Sequence, residues 1–255
     1  MIRQLRRAKD LRQLTIQAAD GEIGNPEAFY FDDSNWAVRY LIINTGSWLL
    51  GRRVLIAPAA VKFIDDPTQS IRVGLTREQV RNSPPVEARK PISRQYEQEY
   101  YKYYGWAPYW GAGVAAEPYP PPPRVIAKSL KDDEVSPEEI RQTHLRSSAE
   151  VTGYYIEAQD GALGHVEDLI IDDQDWIVGY FEVDTRNWWP GKKVLVSRTW
   201  IDDLNWLERR VRINLARESI QSAPEYNPSD VISRDYEIKL FEHYSKRGEN
   251  AGTEA

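Results

Sequence analysis

Setting Leu5 against Leu145 aligns the chain with itself as far as Tyr104 against Tyr244, without a gap. A constant shift of 140 residues carries Asp20-Gly21 onto Asp160-Gly161, Gly24 onto Gly164 and Glu27 onto Glu167. It also carries Asp32-Asp33 onto Asp172-Asp173, Trp36 onto Trp176, Tyr40 onto Tyr180, Trp48 onto Trp188 and Gly51 onto Gly191. About three in ten of the paired positions are identical, and a period this long means tandem domains, not a solenoid of short units. Whatever one repeat folds into, the other must fold into as well.

Each repeat alternates apolar and polar residues in short runs closed by turn signals. Asp20-Gly21 and Asp160-Gly161 predict hairpin turns, because glycine supplies the positive φ that a two-residue turn requires. In the second repeat, strands are expected at His165 to Ile171, Trp176 to Asp184, Lys192 to Ser197 and Arg210 to Leu215. Asp172-Asp173-Gln174-Asp175 and Trp189-Pro190-Gly191 are read as the turns between them. Five or six strands at this spacing predict a mainly β fold: two small antiparallel barrels in tandem, each closed or half-closed and followed by short helices. Thr76 with Gln79 three residues on predicts a capping box for the first helix, which Ala216 cannot repeat in the second.

The run DGALGHVEDLIIDDQDWIVGYFEVDTRNWWPGKKVLVS, followed by ESIQSAPEY, resembles the PRC-barrel family, and DGEIGNPEAFYFDDSNWAVRYLIINTGSWLLGRRVLIAP resembles it less closely. That family is named for the cytoplasmic domain of the photosynthetic reaction-centre H subunit, and a related barrel ends a bacterial ribosome-maturation factor. The resemblance covers about two thirds of the chain and implies a non-enzymatic barrel that binds other proteins. The expected layout is a first barrel over 1–88, a helical, aromatic and Pro-rich connector over 89–143, a second barrel over 144–228, and a C-terminal helix with a polar, disordered tail over 229–255. The tandem is expected to act as an intramolecular pseudo-dimer or to pair as a homodimer.

In the connector, Tyr96, Tyr100 and Tyr103/Tyr104 fall at helical spacing behind Ser93, an N-cap residue type, and Gly105 ends the run. Tyr236, Leu240 and Tyr244 repeat the stripe after Ser233. Both stripes are read as packing surfaces. Trp106 and Trp110 are too apolar to stay in water and are expected to dock on a barrel. The prolines 120–123 enforce an extended spacer, with a ligand for a Pro-binding domain as the sharper alternative. Ser136-Pro137-Glu138-Glu139 carries the signals of a helix start.

Composition narrows function by exclusion. A net charge of −6 argues against direct nucleic-acid binding, and the one basic cluster, Arg3 to Arg12, is read as a solvated end. Without cysteine there is no disulfide, thiolate nucleophile or thiolate metal site. MIRQLRRAKDLRQLTIQ lacks the apolar core of a secretory signal, and no run reaches the ~18 apolar residues of a membrane span. The expected compartment is the cytoplasm, with peripheral membrane association left open.

The three histidines, His144, His165 and His243, share no metal-ligand spacing. His165 lies on one strand face with Glu167, an arrangement able to hold an ion weakly, but it is read as a solvated strand residue because Asn25 replaces it in the first repeat. The Asp-rich turns lack the central Gly and terminal Glu of a calcium loop. No nucleophile elbow, Walker loop or dinucleotide Gly pattern occurs, so no enzyme, cofactor or metal is expected. Surface aromatics remain: Trp48, Arg186, Trp188 and Trp189 in the loops before a Gly turn, with Trp106 and Trp110, are the candidate partner-binding residues. The expected function is a protein–protein interaction or scaffold module. The alternatives are a peripheral subunit of a reaction-centre-like membrane complex, or an adaptor in ribosome or RNA maturation.

Overall fold

A computed structural model describes residues 3–86, 92, 94–110, 144–185 and 192–248. Several predicted features lie outside these residues: the Ser93 cap, the proline run, the Ser136 helix start, the Trp189-Pro190-Gly191 turn and the tail from 249 onward.

Contacts divide the chain into two units. Unit 1 comprises Met1–Gln13, Ala28–Val38 and Arg146–Ala255; unit 2 comprises Leu14–Glu27 and Arg39–Leu145. The protein is mainly β, with 14 strands among the described residues gathered into two seven-stranded mixed sheets.

The first sheet uses β9 (Tyr155–Ala158), β10 (Gly161–Asp172), β11 (Ile177–Asp184), β12 (Lys193–Ser197), β13 (Ile201–Asn205) and β14 (Arg210–Ile213). Their order is β12-β11-β10-β9-β14-β13, and β1 (Leu5–Arg7) pairs antiparallel with β10. The second sheet repeats this order with β2 (Thr15–Ala18), β3 (Gly21–Asp32), β4 (Val38–Asn44), β5 (Arg53–Ile56), β6 (Val61–Asp65) and β7 (Ser70–Val73), as β5-β4-β3-β2-β7-β6. Here β8 (Leu145–Ser147) pairs with β3. In both sheets one internal pairing is parallel, β9 with β14 and β2 with β7. Among the described residues the pairings do not close either sheet into a barrel. The strand at Ile201–Asn205 was not expected from its sequence, IDDLN.

The repeated glycines have two separate causes. Gly21 (φ 145°) and Gly161 (φ 129°) close two-residue hairpins at Ala19-Asp20 and Gln159-Asp160. Gly24 and Gly164 sit inside strands, not in the hairpins. A Cβ there would stand 2.0 Å from the Asn44 carbonyl oxygen and 2.1 Å from that of Asp184, so only glycine allows the close approach.

Asp32 accepts the backbone N–H of Ser34 (3.0 Å), and Asp172 that of Gln174 (2.9 Å), which makes the Asp-rich runs side-chain-closed turns. Each turn ends in a left-handed tryptophan, Trp36 (φ 66°) and Trp176 (φ 53°). Within unit 1 these two residues anchor a reciprocal bridge: Val38 N–H donates to the Trp176 carbonyl (2.7 Å) and Val178 N–H to that of Trp36 (2.9 Å). The N-terminal arginines are not a solvated end, because unit 1 uses them. Arg6 bonds Asp173 at 2.8 Å, and its repeat equivalent Arg146 bonds Asp33 at 2.8 Å. Arg3 pairs with Asp172 and with Glu237.

The helices are α1 (Ala8–Leu11), α2 (Arg77–Arg81), α3 (Arg94–Tyr104), α4 (Ser148–Val151), α5 (Arg217–Gln221) and α6 (Arg234–Gly248). Thr76 and Gln79 make the full capping box on α2, and Ala216 leaves α5 without one. The tyrosine stripes are packing surfaces. On α3, Tyr100 donates to the Leu55 carbonyl (3.0 Å) and Tyr96 to that of Pro84 (3.0 Å). On α6, Tyr244 donates to the Leu195 carbonyl (2.9 Å) and Tyr236 to that of Pro224 (3.1 Å). No helix among the described residues is long and apolar enough to cross a membrane.

Candidate functional site

In unit 2 the loop from Thr45 to Arg52 joins β4 to β5. Thr45 Oγ1 donates to the Arg52 carbonyl (2.7 Å), and Asn44 accepts the Gly46 N–H (2.9 Å), so the loop is tied at its base. Gly46 (φ 55°) and Gly51 (φ 74°) supply the left-handed turns that bring it back. Trp48 is thereby laid against α2, with the Arg77 guanidinium 4.5 Å from its ring centroid and Arg81 at 5.9 Å. Arg77 is held by its own backbone N–H, which donates to Asp20 (2.7 Å) at the capped start of α2. Trp48 Nε1 is buried and has no hydrogen-bond partner among the described residues. Beside the ring opens a groove of about 630 Å3, lined among others by Glu22, Asn25, Glu27, Asn44 and Ser47. Glu27 is held by Arg53 in two bonds of 2.6 and 2.5 Å. Leu50, at the loop tip, is 97% exposed.

Trp106 and Trp110 occupy a different place in unit 2. Trp106 stacks on Tyr104 (4.7 Å between centroids), while Trp110 meets Tyr101 edge-on (5.3 Å) under the Arg94 guanidinium (4.3 Å). Their ring contacts are to the tyrosines of the connector helix α3, where docking on a barrel was expected. Below them Glu97 accepts from Tyr40 (2.9 Å) and Tyr109 (2.7 Å) and pairs with Arg94 (3.0 Å). Burial pushes its pKa above the ordinary carboxylate range, against the pull of those bonds. Arg186, Trp188 and Trp189 lie outside the described residues.

Unit 1 gathers charge instead. Glu182, fully buried on β11, takes Arg7 at 3.0 Å and Lys193 at 2.6 Å. Arg7 also stands 3.5 Å from Asp168. Burial pushes the Asp168 carboxyl up to about 6, although the Leu169 and Lys9 N–H groups and Arg7 pull the other way. On the same strands His165 Nε2 lies 3.9 Å from Glu167 and 3.9 Å from the buried Asp184. Strand alternation pairs His165 with Glu167 but does not reach Asp184, or Glu182 with its cations Arg7 and Lys193. The available signal was FEVD: two acids alternating inside an apolar strand require cations from elsewhere. No protein-family model matches the chain, and no curated protein matches it.

Proposed function

We propose that this chain is a non-catalytic interaction protein, built from two PRC-type half-closed barrels, whose Trp48 groove receives an extended segment of a partner protein. One observation carries the reading: a buried indole N–H without an acceptor among the described residues belongs to a tryptophan that lines an open groove. A buried donor left unsatisfied costs about 1–3 kcal/mol, which a partner's backbone carbonyl would recover once the ring turns its N–H toward the groove. The ring also stacks with Arg77, and Trp and Arg are the residue types that dominate binding energy at protein interfaces. The barrel assignment is supported by the resemblance of both repeats and by the matching strand order of the two sheets. A non-catalytic role is supported by how the titratable groups are used, since Glu27, Glu97 and Glu182 are all engaged by arginine or lysine.

Affinity purification of the full chain from its native cell, with mass spectrometry, tests the reading. Partners retained by the wild type should be lost from Trp48→Ala and weakened about tenfold by Trp48→Phe, which keeps a ring but removes the N–H. Retention unchanged in both folded variants would overturn it.

A further inference from the structure

We propose that His165, Glu167 and Asp184 form a binding site for a divalent transition-metal ion in unit 1. Antiparallel pairing of β10 with β11 sets His165 directly opposite Asp184, and Glu167 lies two residues along β10. Gly164 makes this possible, because the strand runs so close to the Asp184 carbonyl that any side chain at that position would collide with it. One ligand atom from each of the three residues falls within 4.8 Å of the others. Tetrahedral zinc holds nitrogen and oxygen ligands at about 2.0–2.2 Å, so adjacent ligand atoms stand about 3.4 Å apart. The imidazole-to-carboxylate separations of 3.9 Å therefore need to close by about half an ångström, and the carboxylate-to-carboxylate one, within 4.8 Å, by at most about 1.4 Å, which side-chain rotation supplies.

The ligand chemistry selects the class of ion. One imidazole with two carboxylates suits zinc and its first-row neighbours better than magnesium or calcium, which prefer an all-oxygen shell. Three protein ligands leave a fourth position for water or a ligand from a partner. Lys193 is the competing cation, 3.4 Å from Glu167 but 2.6 Å from Glu182. An entering ion takes Glu167 from it and leaves it the shorter partner.

The first repeat supplies a control. At the same three positions it has Asn25, Glu27 and Asn44, and Arg53 grips Glu27. Two neutral amides replace the imidazole and the buried carboxylate. The two differences converge in space on one corner of the fold, which a solvated strand histidine does not require.

The full chain, stripped of metal with a chelator, should bind one equivalent of Zn2+ by calorimetry at neutral pH and melt at a higher temperature with Zn2+ present. Bound Co2+ should give visible absorption bands. His165→Ala, at a half-exposed position, should weaken Zn2+ binding at least about tenfold and abolish both the melting shift and the Co2+ bands. Asp184→Asn should do the same, and Asn25→Ala should do neither. No binding by the wild type would overturn the proposal, as would one equivalent held equally well by His165→Ala.

Discussion

The two repeats solve one packing problem in opposite ways. In the second, β11 points a fully buried Glu182 at Arg7 and Lys193, with Asp168 beside them. The positions equivalent to Arg7, Asp168 and Glu182 are Ser147, Ala28 and Ile42. Ala28 and Ile42 are as thoroughly buried as the acids they replace. The same strand order is thus compatible with an ionic cluster or with plain apolar contact. Desolvating charges costs about as much as their mutual attraction returns, so neither solution dominates in stability. What does not vary is the anchoring of the helices: Tyr40 donates to Glu97 and Tyr180 to Glu237, and each stripe caps an equivalent edge-strand carbonyl, Leu55 or Leu195. Exchange is tolerated where a complete set of partners can change together.

This contrast is open to attack at several strengths. Glu182→Ile alone takes the shortest-held partner from both Arg7 and Lys193, leaving them the longer contacts to Asp168 and Glu167, and urea unfolding should show a loss of about 3 kcal/mol. Copying the whole set, Arg7→Ser with Asp168→Ala and Glu182→Ile, should cost less than that single change. A triple variant worse than the single one would break the comparison. A smaller effect concerns pH. Asp168 titrates at about 6 in the folded protein against 3.8 ordinarily, so the fold holds this proton more tightly than the unfolded chain does. Its contribution to stability is complete below about pH 4 and is lost as pH rises through about 6. Between pH 4 and 7, Asp168→Asn should therefore gain about 2–3 kcal/mol relative to wild type, measured by unfolding at each pH. The smallest effect lies at the caps. Thr76→Ala should lower stability by about 1 kcal/mol, and Ala216→Thr should raise it by about half as much, since Ser219 cannot complete the box as Gln79 does.

What could be read from the sequence was local. Turns at Asp32 and Asp172, the Thr76 cap and the tyrosine stripes depend on residues within four positions of each other, and all are present. The pairing of β1 with β10 depends on residues more than 160 positions apart, and nothing in Leu5–Arg7 names its partner. For that reason a cluster of arginines looked solvated when it was half of an ionic lattice. The left-handed conformation of Trp36 and Trp176 was equally hidden, because tryptophan has no preference for it, and the bonds of its backbone N–H to Asp32 or Asp172 act together with the reciprocal bridge to hold it. Trp48 was legible as a candidate from its loop. Its partner Arg77 was not, because α2 reaches it only through the folded sheet. Asp184 was placed at the end of a strand, but strand register decides that it faces His165.

The antiparallel seat of Leu5–Arg7 on β10 also sets a schedule for synthesis. These residues leave the ribosome ahead of the strand they join, which is translated more than 150 residues later. At about 5–20 residues per second that is a wait of roughly ten to thirty seconds. During it, two arginines and an unpaired edge are offered to whatever is nearby. Completion of this sheet thus waits on a strand made long after the one it receives.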